Sequence, residues 1–194
     1  MITSAFRRLI GAVALVAAAC FGPKADPTTF WVLSPVAARA PGTGAAGPAV
    51  GLGPVTLPEY LRRPQMVTRV DDHQVRVDEF SRWAEPLDDM LTETLAEEIR
   101  AEVRPASLVM YPWRANQIPE LWVKVQVDRF EPAASGEVLL QATWQVLDRD
   151  GKQLSSHTSA HRVTAGTTVK EAVAAMSQAA GRLAKEISGA IQSR

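Results

Sequence analysis

The chain has 194 residues, and its 21 Lys and Arg balance 21 Asp and Glu, so the formal charge at pH 7 is zero. That balance excludes the basic excess a nucleic-acid binder carries, and the length fits one domain. The single cysteine, Cys20, excludes an intramolecular disulfide.

Arg7 and Arg8 precede an uncharged apolar run from Leu9 to Ala19. A membrane-spanning helix needs about 20 apolar residues, so this shorter run reads as the core of a signal peptide over 1–19. It ends in Ala17-Ala18-Ala19-Cys20, small residues of the kind signal peptidases accept. A lone thiol in an exported chain needs a reason. The sharper reading is a lipobox, with Cys20 acylated as the first mature residue. The alternative is an unpaired cysteine behind an ordinary cleavage site, since Ala17 stands where Leu is usual. Similarity to bacterial lipoproteins implies several acyl chains on Cys20, and two or more chains anchor stably where one does not. It also implies outer-membrane delivery, because Phe21 occupies the position where Asp marks inner-membrane retention. The mature chain, Cys20 to Arg194, would carry 19 basic and 21 acidic side chains.

Residues 20–28 form a short tether with Pro23 and Pro27, and 29–194 form the domain. The eight residues Phe21 to Thr28 span at most about 25–29 Å, so the domain is expected close to its membrane. Thr29 to Leu33 is aromatic and β-branched, a strand. Ala37 to Pro48 is rich in Gly and Pro and reads as a loop; it lacks the Lys-Ser/Thr ending of a phosphate loop. Ala49 to Val55 is a second strand. Gln65–Val70 and Gln74–Glu79 read as a hairpin around Asp71-Asp72-His73.

Leu87, Leu91, Leu95 and Ile99 recur every four residues, which predicts a helix over 86–103 with Pro86 at its first position. Asp88, Asp89, Glu93, Glu97 and Glu98 are expected on its solvated side. Ser107 to Tyr111 reads as a strand. Leu121, Val123, Val125 and Val127 alternate with polar residues, as do Val138, Leu140, Ala142, Trp144 and Val146, giving two half-buried strands joined by a turn over 132–136. Asp150-Gly151 is a hairpin signal, and the polar strand behind it, 152–163, suits a sheet edge. Thr168 and Glu171 form a capping box for a last helix over 169–192, whose stripe runs Val169, Val173, Met176, Ala180, Leu183, Ile187. The fold class expected is α/β: a single domain, a mixed β-sheet packed with two long amphipathic helices.

No catalytic constellation emerges, no cofactor or metal is implied, and the chain does not read as an enzyme. His157 and His161, four apart in a strand, would stand about 13 Å from each other, too far to share one metal ion. His73 falls at a hairpin tip.

One stretch stands out. Val50-Gly51-Leu52-Gly53-Pro54-Val55-Thr56-Leu57-Pro58-Glu59-Tyr60-Leu61-Arg62-Arg63-Pro64-Gln65, followed by Thr68-Arg69, resembles the PqiC family of ABC-transport auxiliary lipoproteins. Phe80-Ser81-Arg82-Trp83-Ala84-Glu85-Pro86-Leu87, Val127-Asp128-Arg129-Phe130-Glu131 and Ala142-Thr143-Trp144 extend the resemblance over nearly all of the mature chain. It implies a non-catalytic, outer-membrane-anchored subunit of an envelope lipid transport system. Its partner would be a periplasm-spanning MCE-domain protein; a homo-oligomeric ring is a further expectation. The competing readings are a lipid carrier with its own cavity and an outer-membrane assembly or cell-wall-binding lipoprotein. Within the stretch, Pro58 and Pro64 fix φ at two points and would present Tyr60, Arg62 and Arg63 on one short turn. Tyrosine and arginine are common interface anchors. Equally, Tyr60 and Leu61 would plug the core and Arg63 would pair with Glu59 or Glu85. Trp83 is expected in the core.

Overall fold

The computed structural model describes residues 26–37, 47–114 and 116–194. The expected signal peptide over 1–19, Cys20, most of the expected tether and most of the Gly/Pro loop lie outside the described residues.

Among the described residues the elements run β1 (Thr29–Trp31), β2 (Val50–Thr56), a 3₁₀ turn (Glu59–Leu61), β3 (Gln65–Arg69), β4 (Val75–Trp83), α1 (Leu87–Val103), β5 (Leu108–Met110), β6 (Leu121–Pro132), β7 (Glu137–Asp148), β8 (Gln153–Thr164) and α2 (Val169–Gln192). The single α/β domain expected from the sequence is present, with its strands divided between two mixed sheets. The larger has the order β5-β2-β6-β7-β8, parallel at β5–β2 and β2–β6 and antiparallel beyond. The smaller has the order β1-β4-β3, with β1 parallel to β4.

Alternation along β6 and β7 sends Val123, Val125, Val127, Leu140, Ala142, Trp144 and Val146 inward. Both helices lie against that face. Leu91, Leu95 and Ile99 of α1 and Met176, Leu183 and Ile187 of α2 are fully buried beneath it. Ala175, Ala179 and Ala180 are buried as well, and such small side chains let α1 and α2 approach closely. The capping box is formed: Thr168 Oγ1 accepts from Glu171 N, and the Glu171 carboxylate accepts from Thr168 N at 3.0 Å. The Thr168 hydroxyl, followed by its backbone N–H, holds the Glu171 carboxyl below the usual carboxylate range. The polar β8 is an edge strand, as its composition predicts.

Several boundaries differ from expectation, β1 ending at Trp31 rather than Leu33 among them, and three of the differences have a clear physical reason. Pro86 is the N-cap of α1 rather than its first residue: its ψ of 132° is extended, and its carbonyl accepts from Met90 N at 3.1 Å. β4 runs on to Trp83 because 81–83 pair with β1, a partner fifty residues away. β6 runs on to Pro132 through an irregularity between Val127 and Arg129. That shift breaks the alternation and buries Phe130, Glu131 and Pro132 in succession.

The acidic side of α1 has one exception. Glu98 is buried and accepts from the backbone N–H groups of Val36 and Ala37. Next to this contact, Ser34 N donates to Ser177 Oγ of α2 at 3.2 Å. The segment after β1 is thus clamped to both helices.

Candidate functional site

The stretch between β2 and β3 is held from below and open above. Leu57 and Leu61 are buried on either side of the 3₁₀ turn. Arg62 N closes the turn by donating to Glu59 O at 3.1 Å. Pro64 then contributes its carbonyl, which accepts from Trp83 N at 2.7 Å. One backbone bond therefore joins the two most recognisable runs of the sequence.

Those runs form opposite walls of a groove of about 580 Å³. Arg62, Arg63 and Pro64 line one side, and residues 83–89 line the other. Arg62 is exposed and paired twice, through Nη1 to Glu59 Oε1 at 2.8 Å and through Nε to Asp88 Oδ2 at 3.5 Å. The Glu59 hydrogen bond holds its guanidinium more firmly protonated. Arg63 is exposed at the groove mouth; the pairing with Glu59 that the sequence offered to it belongs to Arg62. Trp83 is in the core, as expected. Glu85 also lines the two neighbouring hollows, one bounded by Met110 and Tyr111, the other by Val32 and Pro35. The N-terminal end of α1 is therefore an acidic rib among apolar shoulders.

Tyr60 points the other way. Its hydroxyl donates to Glu131 Oε2 at 2.9 Å, and Arg69 Nη2 donates to the same hydroxyl at 3.2 Å. Glu131 is only 1% exposed. Its Oε1 accepts from Arg69 Nε at 2.7 Å and Arg129 Nε at 2.9 Å, and its Oε2 also accepts from Phe130 N at 2.9 Å. Four donors match the four lone-pair positions of a carboxylate, which is what a buried charge requires. Burial, then the Glu131 charge, raises the Tyr60 hydroxyl above its ordinary value, and the Glu131 hydrogen bond raises Arg69. Alternation along β6 does not announce this hub. The available signal is Arg129 two before Glu131, an i,i+2 pair on one face of a strand.

The glycines of the stretch are structural. A side chain at Gly51 would meet Pro119 Cγ at 2.7 Å and Trp122 Cβ at 3.0 Å. Gly53 adopts φ +113° with Tyr111 packed against it, a backbone conformation that favours glycine.

The histidines lie elsewhere. His73 is exposed in the β3–β4 turn, where Asp71 Oδ1 accepts from its backbone N–H at 2.8 Å. His157 stacks on Trp144 with ring centroids 4.4 Å apart, and His161 Nε2 stands 3.6 Å from Glu186 Oε1. Among the described residues no three His, Cys, Asp or Glu side chains gather as a metal site. No described helix is long and apolar enough to cross a membrane.

Comparison with known proteins matches residues 31–188 to a family described as the ABC-type transport auxiliary lipoprotein component. No protein of curated function matches the sequence. Among solved structures, a protein from Xanthomonas campestris superposes with a TM-score of 0.69 at 18% identity, over 84% of this chain and 93% of its own. A crystal structure titled only as an uncharacterized protein gives the same score and identity, over 84% and 98%. PelC from Paraburkholderia phytofirmans, crystallised as a dodecamer, is a weaker likeness, with a TM-score of 0.45 at 16% identity over 76% and 92%. The two stronger superpositions show a shared fold. With the family match spanning most of the chain, this protein belongs to the ABC-type transport auxiliary lipoprotein component family.

Proposed function

We propose that the chain is a non-catalytic, outer-membrane-anchored subunit of an MCE-type lipid transport system, and that it docks the periplasm-spanning MCE-domain partner. Acylated Cys20 is its anchor. The groove between Arg62-Arg63 and residues 83–89 is its docking surface. The observation that carries this reading is the convergence of the two runs on one open groove, joined by the Pro64–Trp83 bond, in a member of a transport auxiliary family. Tyr60, named with the arginines from sequence, serves the docking wall from behind by holding the turn on Glu131.

A carrier role has less support. Sheet and helices enclose Leu52, Leu91, Ile99, Phe130 and Ile187 at full burial, which fills the space a lipid chamber would need.

The test is capture of the full chain from its native envelope, with mass spectrometry of the bait's N-terminus and of its partners. The expected result is an acylated Cys20 together with an MCE-domain protein, and loss of that protein on Arg62→Ala/Arg63→Ala. Recovery of cell-wall or barrel-assembly proteins instead would sink the transport reading and keep the lipoprotein.

A further inference from the structure

The smaller sheet has an outer face that its own fold leaves uncovered. Along β1 and the residues after it, Trp31 and Leu33 turn inward, while Phe30 is 66% and Val32 55% exposed. Along β4, Ser81 and Trp83 turn inward and Phe80 is 55% exposed. The parallel register sets Thr29 opposite Ser81 and Phe30 opposite Arg82, so Phe80 emerges from β4 beside the start of β1. Thr29 Oγ1 donates to Phe80 O at 3.3 Å, so the two strands are fixed where the aromatics emerge.

Packing among the described residues does not explain two large phenyl groups at this exposure on neighbouring strands. The position of the chain start suggests what covers them. Asp26, the first described residue, is held by hydrogen bonds from Thr28 N at 3.0 Å and Thr28 Oγ1 at 2.6 Å. Thr29, three residues on, is bonded to Phe80 O, so Asp26 lies within a few residues of the point where Phe80 emerges. Cys20 lies six residues before Asp26. Six residues reach at most about 22 Å. An acyl anchor at Cys20 therefore confines this face to the neighbourhood of the bilayer. Exposed apolar side chains in that position insert into the headgroup–acyl boundary, where an apolar face sinks by about 5–10 Å.

We propose that the Phe30–Phe80 face, with Val32, is a second membrane contact: it rests on the lipid surface and orients the domain relative to the bilayer. Asp26, Glu79 and Arg82 form its polar surround at headgroup level. The inference rests on the anchoring of Cys20 proposed above. It leaves the groove directed at a protein partner and assigns the lipid to a different face.

The experiment uses the full chain, purified from a Gram-negative envelope and reconstituted into vesicles of phosphatidylethanolamine and phosphatidylglycerol, with and without bromine on the acyl chains. Phe30→Trp and Phe80→Trp are compared with the parent, whose own tryptophans supply the background. Both positions are exposed, so the larger ring is accommodated. Mass spectrometry of each preparation reads the acyl group on Cys20. The expected result is an acylated chain whose added tryptophan fluoresces to the blue of its value in detergent-free water and loses at least half its intensity in brominated vesicles. An acylated chain whose added tryptophan stays red-shifted and unquenched overturns the membrane face and leaves the anchor standing. A chain without an acyl group overturns the anchor, and this proposal with it. A photo-cross-linker at position 80 that captures a second copy or another protein in place of lipid also overturns it.

Discussion

Tyr60 and Arg62 are two residues apart and serve opposite ends. Tyr60 faces down onto Glu131, where two guanidiniums, one hydroxyl and one backbone N–H satisfy a carboxylate removed from water. Arg62 faces up into the groove, where its partners Glu59 and Asp88 share its solvent. Both regions pair arginine with a carboxylate. Only in the first would removing one member strand the others in a poorly hydrated place. The comparison teaches that a motif dense in charged and aromatic residues can have a structural half and a presented half, and that burial of the partner, rather than residue type, divides them.

The comparison can be broken at its buried end first. Glu131→Ala leaves Arg69 and Arg129 without their shared acceptor, and about 3 kcal/mol of stability is expected to go. The figure sits at the low end for a broken buried pair because both guanidiniums keep some contact with water. Urea unfolding followed by tryptophan fluorescence measures it, and a midpoint equal to the parent's would refute the hub. Tyr60→Phe removes the hydrogen bond the hydroxyl donates to Glu131 and the one it accepts from Arg69, and is expected to lower stability by about 1.5 kcal/mol in the same assay.

Acid should act on a third place. The Asp78 carboxylate loses water through burial, yet hydrogen bonds from Phe80 and Ser81 outweigh that and hold it below its ordinary value. A depressed folded value gives stability that is complete above the unfolded value of 3.8 and is lost as pH falls through the folded one. Glu171 behaves in the same sense. Unfolding midpoints should fall between about pH 4 and pH 2, and Asp78→Asn should flatten that limb.

The smallest effect on stability is expected at the presented end. Arg62→Ala/Arg63→Ala should leave the unfolding midpoint within error, since exposed pairs contribute little. The same variant should lose its protein partner in envelope capture. A large drop in midpoint would move Arg62 to the structural half and remove the distinction.

Much of this molecule was legible in the order of its residues. Period-two alternation located β6 and β7, the four-residue leucine spacing located α1, and Thr168 with Glu171 marked the start of α2. These signals are local, and local spacing carries them. The rest depended on distant partners. β4 extends to Trp83 because β1 lies beside it, and nothing near residue 83 announces that. Glu131 lies beyond the irregularity that breaks the alternation of β6, so a carboxylate is enclosed where spacing alone does not show it. Glu98 lies among acids that do face water, and only the arrival of Val36 and Ala37 distinguishes it. The groove was half visible: both runs stood out in the sequence, but their meeting through Pro64 and Trp83 did not. That Phe30 and Phe80 emerge from neighbouring strands depends on the parallel register of β1 and β4.

The clamp behind β1 has a mechanical consequence. With Cys20 anchored and the groove gripped by a partner, as proposed above, tension would enter the described fold at Asp26. It passes along the axis of β1, whose bonds to β4, including Ala84 N to Trp31 O at 2.9 Å, lie across the direction of pull and are strained together in shear. What those bonds do not absorb reaches Ser34 on α2 and then Val36 and Ala37 on Glu98 of α1. The pull is thus shared among a sheet and two helices before any one of them has to yield, and the entry point of the chain doubles as its strain relief.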